Sequence, residues 1–161
     1  VFEGIASRGK SSTGWFYGLK LHLVIYHLGE VVNFLLTSAS RADNNPKVLR
    51  HLLDNHKGTC CGDKGYISSL FGQFYEQGLH LRTKSRKNMK RLLLGMLDAF
   101  MLRKRGLIES VNDILMTVFD IEHTRPKSPL NAITHILASV GASYCYLEQK
   151  PSLVQDFRIL P

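Results

Sequence analysis

Two acidic residues stand where a carboxylate can do chemistry. Asp63 ends the short apolar run Cys60-Cys61-Gly62 and is followed at once by Lys64-Gly65-Tyr66, which places a carboxylate at the lip of a sheet. Glu109 lies further on, in Arg105-Gly106-Leu107-Ile108-Glu109-Ser110-Val111-Asn112-Asp113. On a helix, Arg105 four residues before Glu109 and Asn112 and Asp113 three and four after it share one face. An ion-paired surface would give the same face. Reaction at a phosphodiester needs an oxygen nucleophile and a developing oxyanion held in line, a task that two divalent ions about 3.5–4 Å apart perform. Magnesium takes oxygen ligands and keeps several waters, so carboxylates suit it better than His or Cys. Asp63 and Glu109 are therefore candidate ligands of a two-metal Mg2+ or Mn2+ site. Arg105 is placed to orient Glu109 or a phosphate.

The elements that would hold these residues follow from periodicity. Residues 1–14 are polar and rich in small residues and read as an N-terminal loop or arm. From Trp15, residues Tyr17, Leu19, Leu21, Leu23 and Ile25 form one face of a period-two strand, with Lys20 and His22 on the other. A turn at His27-Leu28-Gly29-Glu30 and a second strand from Val31 to Thr37 make an antiparallel hairpin. Lys20 and His22 are candidates to face DNA or the site, and an ordinary polar face is the competing reading. Pro46 opens a helix to about Asn55, with Asn44 or Asn45 as its cap. Asp43, in the connection before it, reads as a turn or capping acid. A strand over Gly58 to Gly62, a helix from Ile67 to Gln77 and a strand from Leu79 to Thr83 follow. This order argues a mixed α/β domain over residues 15–150. The Glu109 helix, a break at Thr124 to Pro129 and an apolar helix over Leu130 to Leu147 complete it, and residues 151–161 read as a tail.

Composition narrows the partner. The 161 residues carry a net charge of +8, which favours a polyanion. Arg82, Lys84, Arg86, Lys87, Lys90 and Arg91 form a run without an acid, which repels itself unless it is solvated or paired with phosphates. No apolar run reaches the length that spans a bilayer and no leader pattern opens the chain, so the expectation is a cytoplasmic protein. Three cysteines, two adjacent, make no Cys-x-x-Cys metal pair, so Cys60, Cys61 and Cys145 read as reduced packing residues. His51 and His56 lack zinc spacing and read as surface residues.

Taken in order, these motifs resemble the catalytic domain of DDE-class transposases of bacterial insertion sequences. Gly14-Trp15-Phe16-Tyr17-Gly18-Leu19-Lys20-Leu21-His22-Leu23 resembles the early strand of that family. Asp63-Lys64-Gly65-Tyr66 resembles its second-carboxylate motif, and Arg105, Glu109 and Asn112-Asp113 its third-carboxylate helix. The similarity runs on through Ile121-Glu122-His123-Thr124-Arg125 and the terminal helix. The resemblance implies a ribonuclease H-like mixed sheet flanked by helices. It also implies metal-dependent DNA strand cleavage and strand transfer, and action as a homo-oligomer on paired DNA ends. The family's first catalytic Asp lies on a strand before the hairpin, whereas here Glu3 is the only acid before Trp15. Leu102 and Met116 stand where relatives often carry Tyr and Lys. The expectation is a domain lacking its first strand, inactive alone. A basic DNA-binding relic and another ribonuclease H-like nuclease are the alternatives.

Overall fold

A computed structural model describes residues 2–11, 14–62, 70–83, 106–122 and 126–148. Its strands are β1 (Ser7–Ser11), β2 (Gly14–Ile25), β3 (Val31–Ser38), β4 (Gly58–Gly62) and β5 (Leu79–Thr83). Its helices are α1 (Pro46–Leu53), α2 (Phe71–Glu76), α3 (Gly106–Thr117) and α4 (Pro129–Glu148). The strands form an antiparallel sheet in the order β1-β2-β3 and a separate parallel pair, β4-β5.

The long strand β2 organises the first sheet. Its first half pairs with β1, Ser7 opposite Gly18 through Ser11 opposite Gly14, and its second half pairs with β3, Leu19 opposite Ser38 through Ile25 opposite Val31. The stretch expected to be a loop or arm therefore contains a strand. The pattern hides it because Ser-Arg-Gly-Lys-Ser has no apolar alternation, and what holds it is the ladder to β2 and one close contact. Gly9 lies so near Ala39 that a Cβ there would come within 2.7 Å of the alanine Cβ. Ser7 Oγ donates to Ser40 Oγ at 3.0 Å and accepts from the Ser40 amide at 2.8 Å, fastening the base of the ribbon.

Two cores lie on the faces of the β2–β3 hairpin. On one, Val111, Ile114 and Leu115 of α3 and Val140 of α4 pack with Leu21, Leu23, Ile25, Val31 and Phe34. On the other, Val48, Leu49, Leu52 and Leu53 of α1 meet Leu70, Phe74 and Leu79, with Val24 and Leu35 of the hairpin and Cys60 and Leu81 of β4 and β5 packed against them. Helix α1 thus ties the two sheets together. On the β2 face that bears Lys20 and His22, His22 is buried, and Lys20 and Val24 are partly buried, Val24 against the α1 cluster.

Local chemistry fixes α1 at both ends. Asn45 is the N-cap, its Oδ1 accepting from the Lys47 amide at 3.0 Å, and Pro46 takes the first turn where no amide is needed. At the other end Asn33 of β3 donates through Nδ2 to the carbonyls of His51 and Leu52 at 3.2 and 2.9 Å. Those carbonyls belong to the unsatisfied last turn of the helix, so one side chain anchors α1 to the sheet. In α4 the small residues divide: Ala132, Ser139 and Ser143 are buried, whereas Ala138, Gly141 and Ala142 are exposed together with Tyr144 and Cys145. Tyr146 instead packs edge-on to Phe119, with ring centroids 6.0 Å apart. Cys145 is therefore not the packing residue expected, while Cys60 and Cys61 are partly buried free thiols. Burial, with a smaller push from Cys61, raises the Cys60 thiol to about 11, which keeps it protonated and unreactive near neutrality.

Candidate active site

Glu109 sits in the first turn of α3, where a carboxylate is favoured by the positive end of the helix dipole. Its placement follows from the opposite side of the helix. Val111, with 0% of its surface exposed, and Leu115, with 2%, are driven into the hairpin core, so Glu109, Asn112 and Asp113 are turned outward together. The turn of the hairpin seats the start of the helix. Gly29 has φ +97°, and a Cβ there would lie 3.6 Å from Leu107 Cδ1 and 3.8 Å from Val111 Cγ2. The turn itself calls for glycine, because its left-handed φ is adopted there at no steric cost, and it brings the hairpin within ordinary contact of α3.

Two further candidates follow the parallel pair in sequence. Gly62 of β4 lies opposite Thr83 of β5, so the chain leaves both strands at one end of the pair. The next residue after Gly62 is Asp63, and the next after Thr83 is Lys84, which continues the basic run. Arg82 is on β5, opposite Cys61 and partly buried. Asp63, Lys84, Arg86, Lys87, Lys90, Arg91 and Arg105 lie outside the described residues.

Lys20 and His22 are found in a different setting from the one expected. Lys20 Nζ is 2.7 Å from Asp43 Oδ1 and donates to the Arg41 carbonyl at 3.5 Å. His22 is 2% exposed, with Nδ1 3.5 Å from Asp43 Oδ1 and Nε2 hydrogen-bonded to Thr37 Oγ1 at 2.9 Å. Burial holds its pKa below the usual histidine value; Asp43 pulls the other way, and Lys20 adds to the depression. A buried ring engaged on both nitrogens offers no edge to a phosphate, so His22 is a structural residue of the covered face. Lys20 is committed to Asp43. Asp43 is the member that the sequence reading missed, since it is neither the capping acid, a role taken by Asn45, nor a turn acid alone. One signal pointed to it: between Glu30 and Asp54 it is the only acid able to answer two basic side chains on one strand face.

Chemically, Glu109 and Asp113 offer oxygen donors of the kind that magnesium accepts. Among the described residues no group of three or more His, Cys, Asp or Glu comes together to hold a metal. A cavity of about 250 Å³ lined by Arg50, His51, Asp54, Gln73, Phe74 and Gln77 lies against α1 and α2, on none of the elements that carry these acids. Among the described residues no helix is long and apolar enough to cross a membrane.

A family model described as a transposase DDE domain covers residues 1–129, which includes the ribbon, the hairpin, both parallel strands and all of α3. No curated protein and no solved structure matches the chain. Because that model covers well over half of the chain, the chain belongs to the transposase DDE-domain family.

Proposed function

We propose that this chain serves DNA strand cleavage and strand transfer during movement of an insertion sequence, with Asp63 and Glu109 as metal-binding carboxylates. The observation that carries the reading is the family match across both acid motifs, supported by the exposed Glu109 in a helix start anchored by the hairpin. In this reading the arrangement is ribonuclease H-like, with a further strand bearing the first carboxylate beside β2. Residues 19–25 of β2 pair with β3 along one edge, and β1 pairs only with residues 14–18, which is compatible with that placement.

Two divalent ions, Mg2+ or Mn2+, would supply an activated oxygen nucleophile and stabilise the leaving oxygen when bound. The chain's own residues do the positioning. Asp63 and Glu109 would hold the ions, Arg105 would orient Glu109 or a phosphate, and the run from Arg82 to Arg91 would take the DNA backbone through charge-assisted contacts. Lys20 remains a possible backbone contact only where the phosphate displaces Asp43. Assembly as a homo-oligomer on paired element ends belongs to the same proposal, and so does inactivity of these 161 residues alone, for want of the first carboxylate.

The test is cleavage of a labelled duplex in Mg2+ by the protein expressed from the whole reading frame in which Val1 stands. Asp63→Ala and Glu109→Gln should each abolish nicking while leaving the melting curve in place. Cleavage retained by either variant refutes its assignment. Salt-sensitive DNA binding without any nicking by the unmodified protein would identify a binding relic instead.

A further inference from the structure

The two halves of β2 differ in what covers them, and the uncovered half carries large aromatic residues. Trp15 is 62% exposed and Tyr17 63%. The register sets Lys10 opposite Trp15 and Arg8 opposite Tyr17, and directly paired residues of an antiparallel ladder share a face. Four side chains, two cationic and two aromatic, therefore stand together on one side of the β1–β2 ribbon. The Arg8 guanidinium carbon is 4.7 Å from the centroid of the Trp15 ring and Lys10 Nζ is 5.7 Å away, both within cation–π range. The opposite side of the ribbon is closed by Gly9 against Ala39 and by the Ser7–Ser40 hydrogen bonds, so the platform is fastened rather than loose.

We propose that Arg8, Lys10, Trp15 and Tyr17 form a platform for the unpaired bases of single-stranded DNA, which deepens the DNA-processing function proposed above and rests on it. The composition selects this occupant. Neither β1 nor β2 contains an acid, and Asp43, beside the other face of β2, is paired with Lys20, so the ribbon is electropositive. The indole and phenol rings present π faces, and base stacking on an aromatic ring is sequence-tolerant and substantial. Bases inside a duplex are already stacked, so a duplex would use the two cations and leave the rings idle. A second copy of the chain would bring like charge against like charge.

Trp15 is the only tryptophan in the chain, so its fluorescence reports this site alone. The purified 161-residue chain is titrated in EDTA with a 20-nucleotide oligo-dT and, separately, with a blunt duplex of equal length. Saturable quenching by the single strand, and weaker quenching by the duplex, is the expected result. Anisotropy of the labelled single strand should show affinity falling roughly 10-fold to 100-fold in Trp15→Ala, with Trp15→Phe keeping most of it. Arg8→Gln and Lys10→Gln should each flatten the dependence of log K on log salt by about 0.7. The proposal is overturned if the single strand fails to bind, binds without changing Trp15 emission, or binds Trp15→Ala as tightly as the unmodified chain. It is equally overturned if the duplex quenches as strongly as the single strand. No metal is present and no cleavage is measured, so failure here leaves the Asp63 and Glu109 assignments standing, and their failure leaves this binding result intact.

Discussion

The two halves of β2 carry the same alternation and end in opposite environments. From Leu19 to Ile25 the strand lies between two helical layers, and even its basic positions are drawn into a network with Asp43 and Thr37. From Gly14 to Tyr17 it pairs only with β1 and turns Trp15 and Tyr17 outward. Periodicity fixes which residues share a face, but not whether anything covers it. What covers it here is set by chain far away in sequence, α1 on one side and α3 with α4 on the other.

The contrast is broken most severely at the covered end. Leu115→Ala removes a 2% exposed side chain from the core that orients α3 and should cost about 2–5 kcal/mol by urea unfolding. The same substitution should disturb the outward presentation of Glu109, because the two residues are fixed by opposite sides of one helix. A loss below about 1 kcal/mol would mean that α3 is not seated on the hairpin as described.

Next in size is the acid response of the His22 network. A histidine whose folded pKa lies below its unfolded value of 6.5 binds fewer protons folded than unfolded between those two values. Its contribution is fully present above pH 6.5 and is lost as pH falls from there through the depressed folded value. Asp43→Asn removes the interaction that raises the His22 pKa, so the folded value drops further and the acid loss should extend to lower pH. Urea midpoints taken across this range in the unmodified chain, Asp43→Asn and His22→Gln provide the check. The slope should be steepest in Asp43→Asn and weakest in His22→Gln. Equal slopes in all three would remove His22 from the account.

A smaller effect tests the anchoring of the layer that covers this face. Asn45→Ala removes the cap of α1 and should cost about 1 kcal/mol. Asn33→Ala frees the His51 and Leu52 carbonyls at the other end and should cost about 1–2 kcal/mol, measured by the same unfolding series. If Asn33→Ala proves neutral, the hydrogen bonds to α1 are replaced by water and the helix is held by its leucines alone.

Much of this was legible in the chain. The β2–β3 hairpin, α1 with Pro46 at its start, β4, β5 and the amphipathic α3 all follow from local pattern, because each buries one face at its own period. The outward grouping of Glu109, Asn112 and Asp113 was legible for the same reason. What the pattern could not show depends on distant contacts. The strand Ser7–Ser11 is held by its ladder to β2 and by Gly9 against Ala39, and His22 is engaged by Thr37 and Asp43, and neither fact is written in the neighbouring residues. Asp43 was missed because a lone acid beside Asn44 and Asn45 looks like a turn, whereas its partners lie more than twenty positions earlier on β2.

The smallest expected change in stability lies at the uncovered end, and it sharpens the comparison most. Tyr17→Ala and Leu21→Ala remove large side chains from the same face of the same strand, four residues apart. If coverage rather than periodicity decides energetics, Leu21→Ala should be clearly destabilising, since its side chain packs against the core of α3 and α4. Tyr17→Ala should stay within about 0.5 kcal/mol of the unmodified chain, as exposed substitutions usually do. A comparable loss for both would mean that the ribbon side chains stabilise the sheet themselves, through cross-strand contact with Arg8, and the aromatic face would then need no ligand to account for it. A loss confined to Leu21 leaves Tyr17 as an exposed ring with no measurable part in folding, the condition under which a role in binding accounts for its place.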